Sequence, residues 1–92
     1  MRMKACFATG LLLAAGSGPA LAASPGFCAN YATAAVNQVR IARRTPPCAP
    51  GAIGARWSGD YRVHYGWCIT AAPAAAADER EMRTRYLRSC RR

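Results

Sequence analysis

The sequence predicts a small all-α domain of three helices running up, down and up, stapled by two disulfides behind a cleaved signal peptide. Three observations predict it. The first 22 residues have the cationic, apolar and small-residue pattern of an export signal. Four cysteines at nearly even spacing follow, and the apolar positions between them recur at steps of three and four.

In the leader, Arg2 and Lys4 supply a positive start, and Ala5 to Ala15 is an apolar stretch carrying Leu11, Leu12 and Leu13. Ser17, Gly18 and Pro19 interrupt it ahead of Ala20-Leu21-Ala22, so cleavage is expected before Ala23, giving a leader at 1–22 and one domain at 23–92. The apolar run is shorter than the roughly 20 residues that cross a bilayer, and no stable transmembrane anchor is expected after cleavage. Cys6 leaves with the leader, which turns five cysteines into an even set, Cys28, Cys48, Cys68 and Cys90. Such a set in a short exported chain reads as a disulfide framework, because so small a domain cannot bury a sufficient core unaided.

Cys28, Tyr31, Ala35, Val39 and Ala42 mark one face of a first helix over 28–44, with Gln38 and Arg40 outside that stripe and Ala23 to Phe27 as a short lead-in. Pro46 and Pro47 end it, and Arg40, Arg43 and Arg44 suit the negative end of its dipole. Pro50, Gly51 and Gly54 make the following segment an irregular loop around Cys48. Ser58 is the expected N-cap of a second helix, with Asp60 in its first turn and Trp57, Tyr61, His64 and Cys68 as its stripe, so that Trp57 and Tyr61 face inward. Pro73 suits the start of a third helix whose face is Ala75, Glu79, Met82, Tyr86 and Cys90, joined by Leu87. Glu79 with Arg83 and Glu81 with Arg85 are i,i+4 pairs in the favoured order.

Short connections return each helix antiparallel to the one before. Cys28 and Cys68 then meet at one end and Cys48 and Cys90 at the other. The pairing Cys28–Cys68 with Cys48–Cys90 is the one that avoids spanning the bundle, as bridged Cα atoms must lie within about 7 Å. The same order gathers Arg40, Arg43, Arg44, Arg56, Arg88, Arg91 and Arg92 at the Cys48–Cys90 end, with the acids that open the third helix at the far end. These arginines read either as an anion-binding pole, through guanidinium forks, or as solvated complements to helix dipoles.

Cleavage takes two cations from the 13 in the chain and none of its 4 acids, and every remaining cation is arginine. Such a balance directs attention to acidic partners, an envelope component or an acidic protein surface; nucleic acid gains little from charge alone outside the cytoplasm. Catalysis finds no pattern to stand on. His64 is alone, the cysteine spacing matches no zinc motif, no cofactor motif is present, and Ser24, Ser58 and Ser89 sit in no nucleophile motif. The expected function is therefore non-enzymatic binding. Trp57, Tyr61, Tyr65 and Trp67 form one aromatic block. It reads first as core and second as a contact face, with Tyr65 and Trp67 the candidates for an accessory or inhibitory role toward a protein partner.

Tyr31-Ala32, Ala35-Val36, Gln38, Cys48, Gly54, Arg56-Trp57, Tyr61, His64, Trp67-Cys68 and Cys90 together resemble a family of small exported four-cysteine proteins from alphaproteobacteria, across nearly the whole chain after the leader. The resemblance implies a bacterial periplasmic address and a cysteine framework, and it carries no activity with it.

Overall fold

A computed structural model describes residues 22–92; the leader, apart from its last residue, lies outside the described residues. Helix α1 spans Pro25–Arg43, α2 Tyr61–Ile69 and α3 Pro73–Cys90, with single 3-10 turns at Ala49–Gly51 and Ala55–Trp57. Among the described residues there is no strand, and no helix is long and apolar enough to cross a membrane.

Helix α1 begins earlier than its apolar stripe announces. The Ser24 hydroxyl accepts from the Phe27 N–H at 3.2 Å, and Pro25 occupies the first turn, where its missing N–H costs nothing. The expected lead-in is thus helical from Pro25, and Ala23 is buried with its N–H donating to the Ala71 carbonyl. At the other end the Thr45 hydroxyl donates to the Ile41 carbonyl at 2.7 Å before the two prolines stop the helix. Every member of the predicted stripe, from Cys28 to Ala42, is buried.

The second helix is capped two residues later than expected. Asp60, and not Ser58, accepts from the Arg62 N–H, and Trp57 belongs to the preceding 3-10 turn. Gly54 sets that turn up with φ of 90°, a backbone region that L side chains rarely adopt. Because the helix does not run continuously from Trp57 through Tyr61, the two rings part: Trp57 is buried and Tyr61 is exposed, against the expectation that both face inward.

Helix α3 is rotated by about one residue from its expected face. Ala76, Arg83 and Leu87 are buried; Glu79 and Tyr86 flank them, and Ala75 and Met82 face outward. The small Ala76 lets α3 approach the Tyr31 region closely, and the place a large apolar side chain would take is filled by an arginine.

Helix α1 is the hub: α2 and α3 both pack on it and scarcely touch each other. Cys28–Cys68 ties α1 to α2 with a Cα separation of 5.6 Å, and Cys48–Cys90 ties the loop after α1 to the end of α3 at 5.2 Å. Each bridge sits inside its own apolar cluster. One holds Ala23, Cys28, Tyr31, Cys68 and Ala76 with Tyr65 and Ile69; the other holds Val39, Ala42, Cys48, Ala52, Trp57 and Leu87 with Ile41, Tyr86 and Cys90. The core is small and divided, which is why a chain of this length needs the crosslinks.

Candidate functional site

The arginines expected at the Cys48–Cys90 end separate into two sets. On a helix of 3.6 residues per turn, Arg40 and Arg43 project away from Gln38 and Ile41, the side of α1 that meets α3, and Arg44 follows them as the C-cap. They line a small groove with Val36, Val39 and Gly59. Arg88, Arg91 and Arg92 line a different groove with Gln38, Ile41, Thr84 and Leu87. Arg88 and Arg92 also border a third, of about 610 Å³, floored by Trp57 and Tyr86 and closed by Arg56 and Arg85. The seven arginines expected at that end thus border three grooves, with Arg56, Arg88 and Arg92 sharing one of them.

Arg56 is occupied. Its Nε and Nη2 donate to the two Glu79 carboxylate oxygens at 2.7 and 3.0 Å, a bidentate fork between the turn before α2 and the first half of α3. The acids expected to stand apart from the arginines are thus joined to them at this point. The hydrogen bond from Arg56 holds the Glu79 carboxyl below its ordinary range against the opposing effect of burial, and the charges of Arg56 and Arg83 act in the same direction as the hydrogen bond. Two further ion pairs are exposed and local, Asp60 with Arg62 at 3.2 Å and Glu81 with Arg85 at 3.5 Å. Arg40 reaches only the Asn37 side-chain oxygen, at 3.2 Å.

The residue that periodicity misses is Arg83, read from sequence as a surface partner of Glu79. It has no exposed surface. Its Nε donates to Gln38 Oε1 at 2.8 Å, its Nη1 to the Arg56 carbonyl at 3.3 Å, and the guanidinium lies over the Tyr31 ring at 5.2 Å from the centroid. Glu79 is 4.0 Å from Nη1, while Nη2 is buried with no hydrogen-bond partner. Gln38, expected outside the packed stripe, also donates to Thr84 Oγ1 at 2.9 Å and to the Arg80 carbonyl, so it clamps α1 to α3. The signal available beforehand was a glutamine beside the buried stripe and an arginine three before Tyr86. Neither type announces burial.

Of the candidate aromatic contacts, Trp67 is 41% exposed and rests against Tyr31, ring centroids 5.6 Å apart. Tyr65 is half-buried, stacked on Tyr61 at 5.9 Å and packed on the Cys28–Cys68 cluster, so little of it is offered to a partner. Trp67, Tyr31, Ala55, Arg56, Glu79 and Arg83 together line a cleft of about 290 Å³. His64 is buried with Nε2 donating to the Ser58 carbonyl at 2.7 Å, a bond that fixes the turn before α2.

Fold and sites define a disulfide-braced three-helix module with an arginine-lined end and a cleft that mixes aromatic and charged walls. Comparison with family models, with curated proteins and with solved structures finds no match to this chain.

Proposed function

We propose that the protein is an exported, non-enzymatic binding module whose arginine-lined end contacts an anionic envelope component or an acidic protein surface. Two disulfides suit an oxidising compartment, and the N-terminal pattern supplies a route to it. The observation that carries the binding reading is the distribution of partners. Glu79 is engaged by Arg56 and Arg83, Asp60 by Arg62 and Glu81 by Arg85, which leaves Arg40, Arg43, Arg44, Arg88, Arg91 and Arg92, together with Arg80 farther along α3, with no carboxylate partner among the described residues. Arg88 and Arg92 border two adjoining grooves, so they are the centre of the surface.

The test is retention on an anionic matrix across a salt gradient. Replacing Arg88, Arg91 and Arg92 by glutamine lowers the eluting salt more than replacing Arg40, Arg43 and Arg44, since Arg88 and Arg92 border two grooves and the second set only one. Unchanged retention in both variants removes the reading. A second reading, an accessory or inhibitory module that meets a specific protein through its aromatic face, is favoured by the exposure of Tyr61, Val63 and Trp67 along α2. Salt separates the two: charge-driven binding weakens steeply once the Debye length falls below about 8 Å, while a desolvated aromatic contact changes little.

A further inference from the structure

The positions three and four residues away from Arg88 are Thr84, Arg85, Arg91 and Arg92, so no carboxylate stands one turn from it in either direction. Like charges one turn apart repel, and the run is a cost to the fold on its own. The helix dipole favours cations in the last turn of α3, but it does not account for the whole set. Arg85 precedes that turn, and Arg56 belongs to the 3-10 turn before α2, yet both border the same groove as Arg88 and Arg92.

That groove has a fixed floor. Tyr86 is half-buried, its hydroxyl donates to the Cys48 carbonyl at 2.7 Å, and its ring lies 5.0 Å from that of the buried Trp57. Gly51 makes room for the hydroxyl, since a Cβ at this position would collide with it. Met82 adds an exposed apolar edge. The charges around this floor do not balance. Arg56, Arg85, Arg88 and Arg92 bring four cations, and the carboxylates paired with them, Glu79 and Glu81, bring two anions, the first shared with Arg83. Arg91 offsets the α-carboxylate of Arg92, so at least two positive charges remain.

Such a surplus matches a dianion. A carboxylate or a phosphodiester carries one negative charge, whereas a phosphate monoester carries about 1.5 to 2 at neutral pH and offers three acceptor oxygens to guanidinium forks. The floor makes a second demand. Bare phosphate leaves Tyr86 and Met82 in water, and an uncharged body on the ester oxygen covers them. The volume, about 610 Å³, is within the roughly 300–1,000 Å³ of small-molecule sites and admits both parts.

We propose that this groove binds a phosphate monoester joined to an uncharged body with an apolar face, the phosphate on Arg88 and Arg92 and the body over Tyr86 and Met82. The proposal rests on the anionic reading above and narrows it to one chemical group. A phosphorylated sugar and the headgroup of phosphatidate both present that group.

The experiment is a nitrogen–proton correlation titration of the oxidised protein, read at the arginine Nε–H and indole signals, with phenyl phosphate, phenyl sulfate and inorganic phosphate. Phenyl sulfate keeps the body with a single charge, and inorganic phosphate keeps the charge without the body. The expected result is a saturable shift of Arg88 and Arg92 with phenyl phosphate, the other two probes binding about tenfold more weakly. Arg88→Gln and Arg92→Gln each weaken phenyl phosphate about tenfold, as a charged hydrogen-bond donor is lost. Arg40→Gln and Arg43→Gln, on the separate groove, leave the affinity unchanged. All four side chains are exposed, so the variants keep the fold. Glucose 6-phosphate and vesicles doped with phosphatidate then tell a sugar source from a lipid one. No saturable shift with phenyl phosphate, equal affinity for phenyl sulfate or inorganic phosphate, or wild-type affinity in both Arg88→Gln and Arg92→Gln overturns the proposal. Matrix retention that falls in the glutamine variants while phenyl phosphate fails to bind removes the monoester alone and leaves the anionic surface standing.

Discussion

Nε of Arg83 donates to Oε1 of Gln38 at 2.8 Å, and through that bond a fully buried arginine joins α3 to α1. The two helices have few large apolar side chains to share, with Ala76 and Leu87 as the other buried residues of α3. Removing Gln38 leaves a second nitrogen of the buried Arg83 without an acceptor, and removing Arg83 leaves a cavity where its side chain is packed. Gln38→Ala is expected to cost about 1–3 kcal/mol and Arg83→Ala about 3–5 kcal/mol, read as urea midpoints at neutral pH. The double change Gln38→Leu with Arg83→Met recovers most of that loss, because a buried polar pair replaced by matched apolar groups is often neutral. A double variant no more stable than Arg83→Ala contradicts this account.

Glu79 gives stability a pH dependence of definite sign. Its folded carboxyl is held below its usual value of 4.5, first by the hydrogen bond from Arg56. A depressed folded value means the contribution is fully present above the unfolded value and disappears as pH falls through the folded one. The urea midpoint is therefore flat from neutral pH to about 5 and drops below the ordinary carboxylate range. Asp60, lowered by its hydrogen bond to the Arg62 side chain, adds a shallower slope in the same window. Glu79→Gln flattens the drop; an acid limb of undiminished steepness in that variant refutes the assignment.

The same substitution at two glycines should have opposite signs. Gly66 lies inside α2 with open space around its Cα, so Gly66→Ala stabilises by about 0.5–1 kcal/mol. Gly54 also has open space, but its φ of 90° with ψ of 179° is a region essentially reserved for glycine. Gly54→Ala is expected to destabilise by about 1–3 kcal/mol. Thermal midpoints of the two variants that move in the same direction would show that backbone conformation does not govern these positions.

Each disulfide closes a long loop, with sequence separations of 40 and 42. Loop-closure entropy puts either bridge at about 4 kcal/mol, an upper figure when loops overlap. The protein in excess reductant should lose most of its helical circular dichroism at 37 °C, while either single-bridge variant, with paired serines, retains part of it. A reduced protein with a near-native spectrum would show that the apolar clusters suffice alone.

Much of this architecture was legible before any coordinates. The proline pair after Thr45, the stripe from Cys28 to Ala42 and the order of helices together dictate which cysteines meet, since helix ends are what short loops bring together. The face of α3 was not legible in the same way. Apolar periodicity ranks Ala75 and Met82 above Arg83, and only the approach of α1, with Gln38 and Tyr31 waiting, makes the arginine the inner residue. The start of α2 failed for a related reason. Ser58 and Asp60 are both good caps, and the choice between them is made by the Gly54 turn and by the bond from His64 to the Ser58 carbonyl.

The two crosslinks interleave along the chain, and that ordering bears on how the protein matures. Cys48 and Cys68 are separated by about half the span that divides Cys28 from Cys68. Closing the shorter loop is favoured by about 0.6 kcal/mol in an unfolded chain. The first sulfur–sulfur bond made in the reduced, unfolded chain is thus biased toward a partner absent from the finished molecule. Its release requires thiolate attack and reshuffling, so the yield of correctly oxidised protein is set by an isomerase or a reducing buffer, not by oxidant alone.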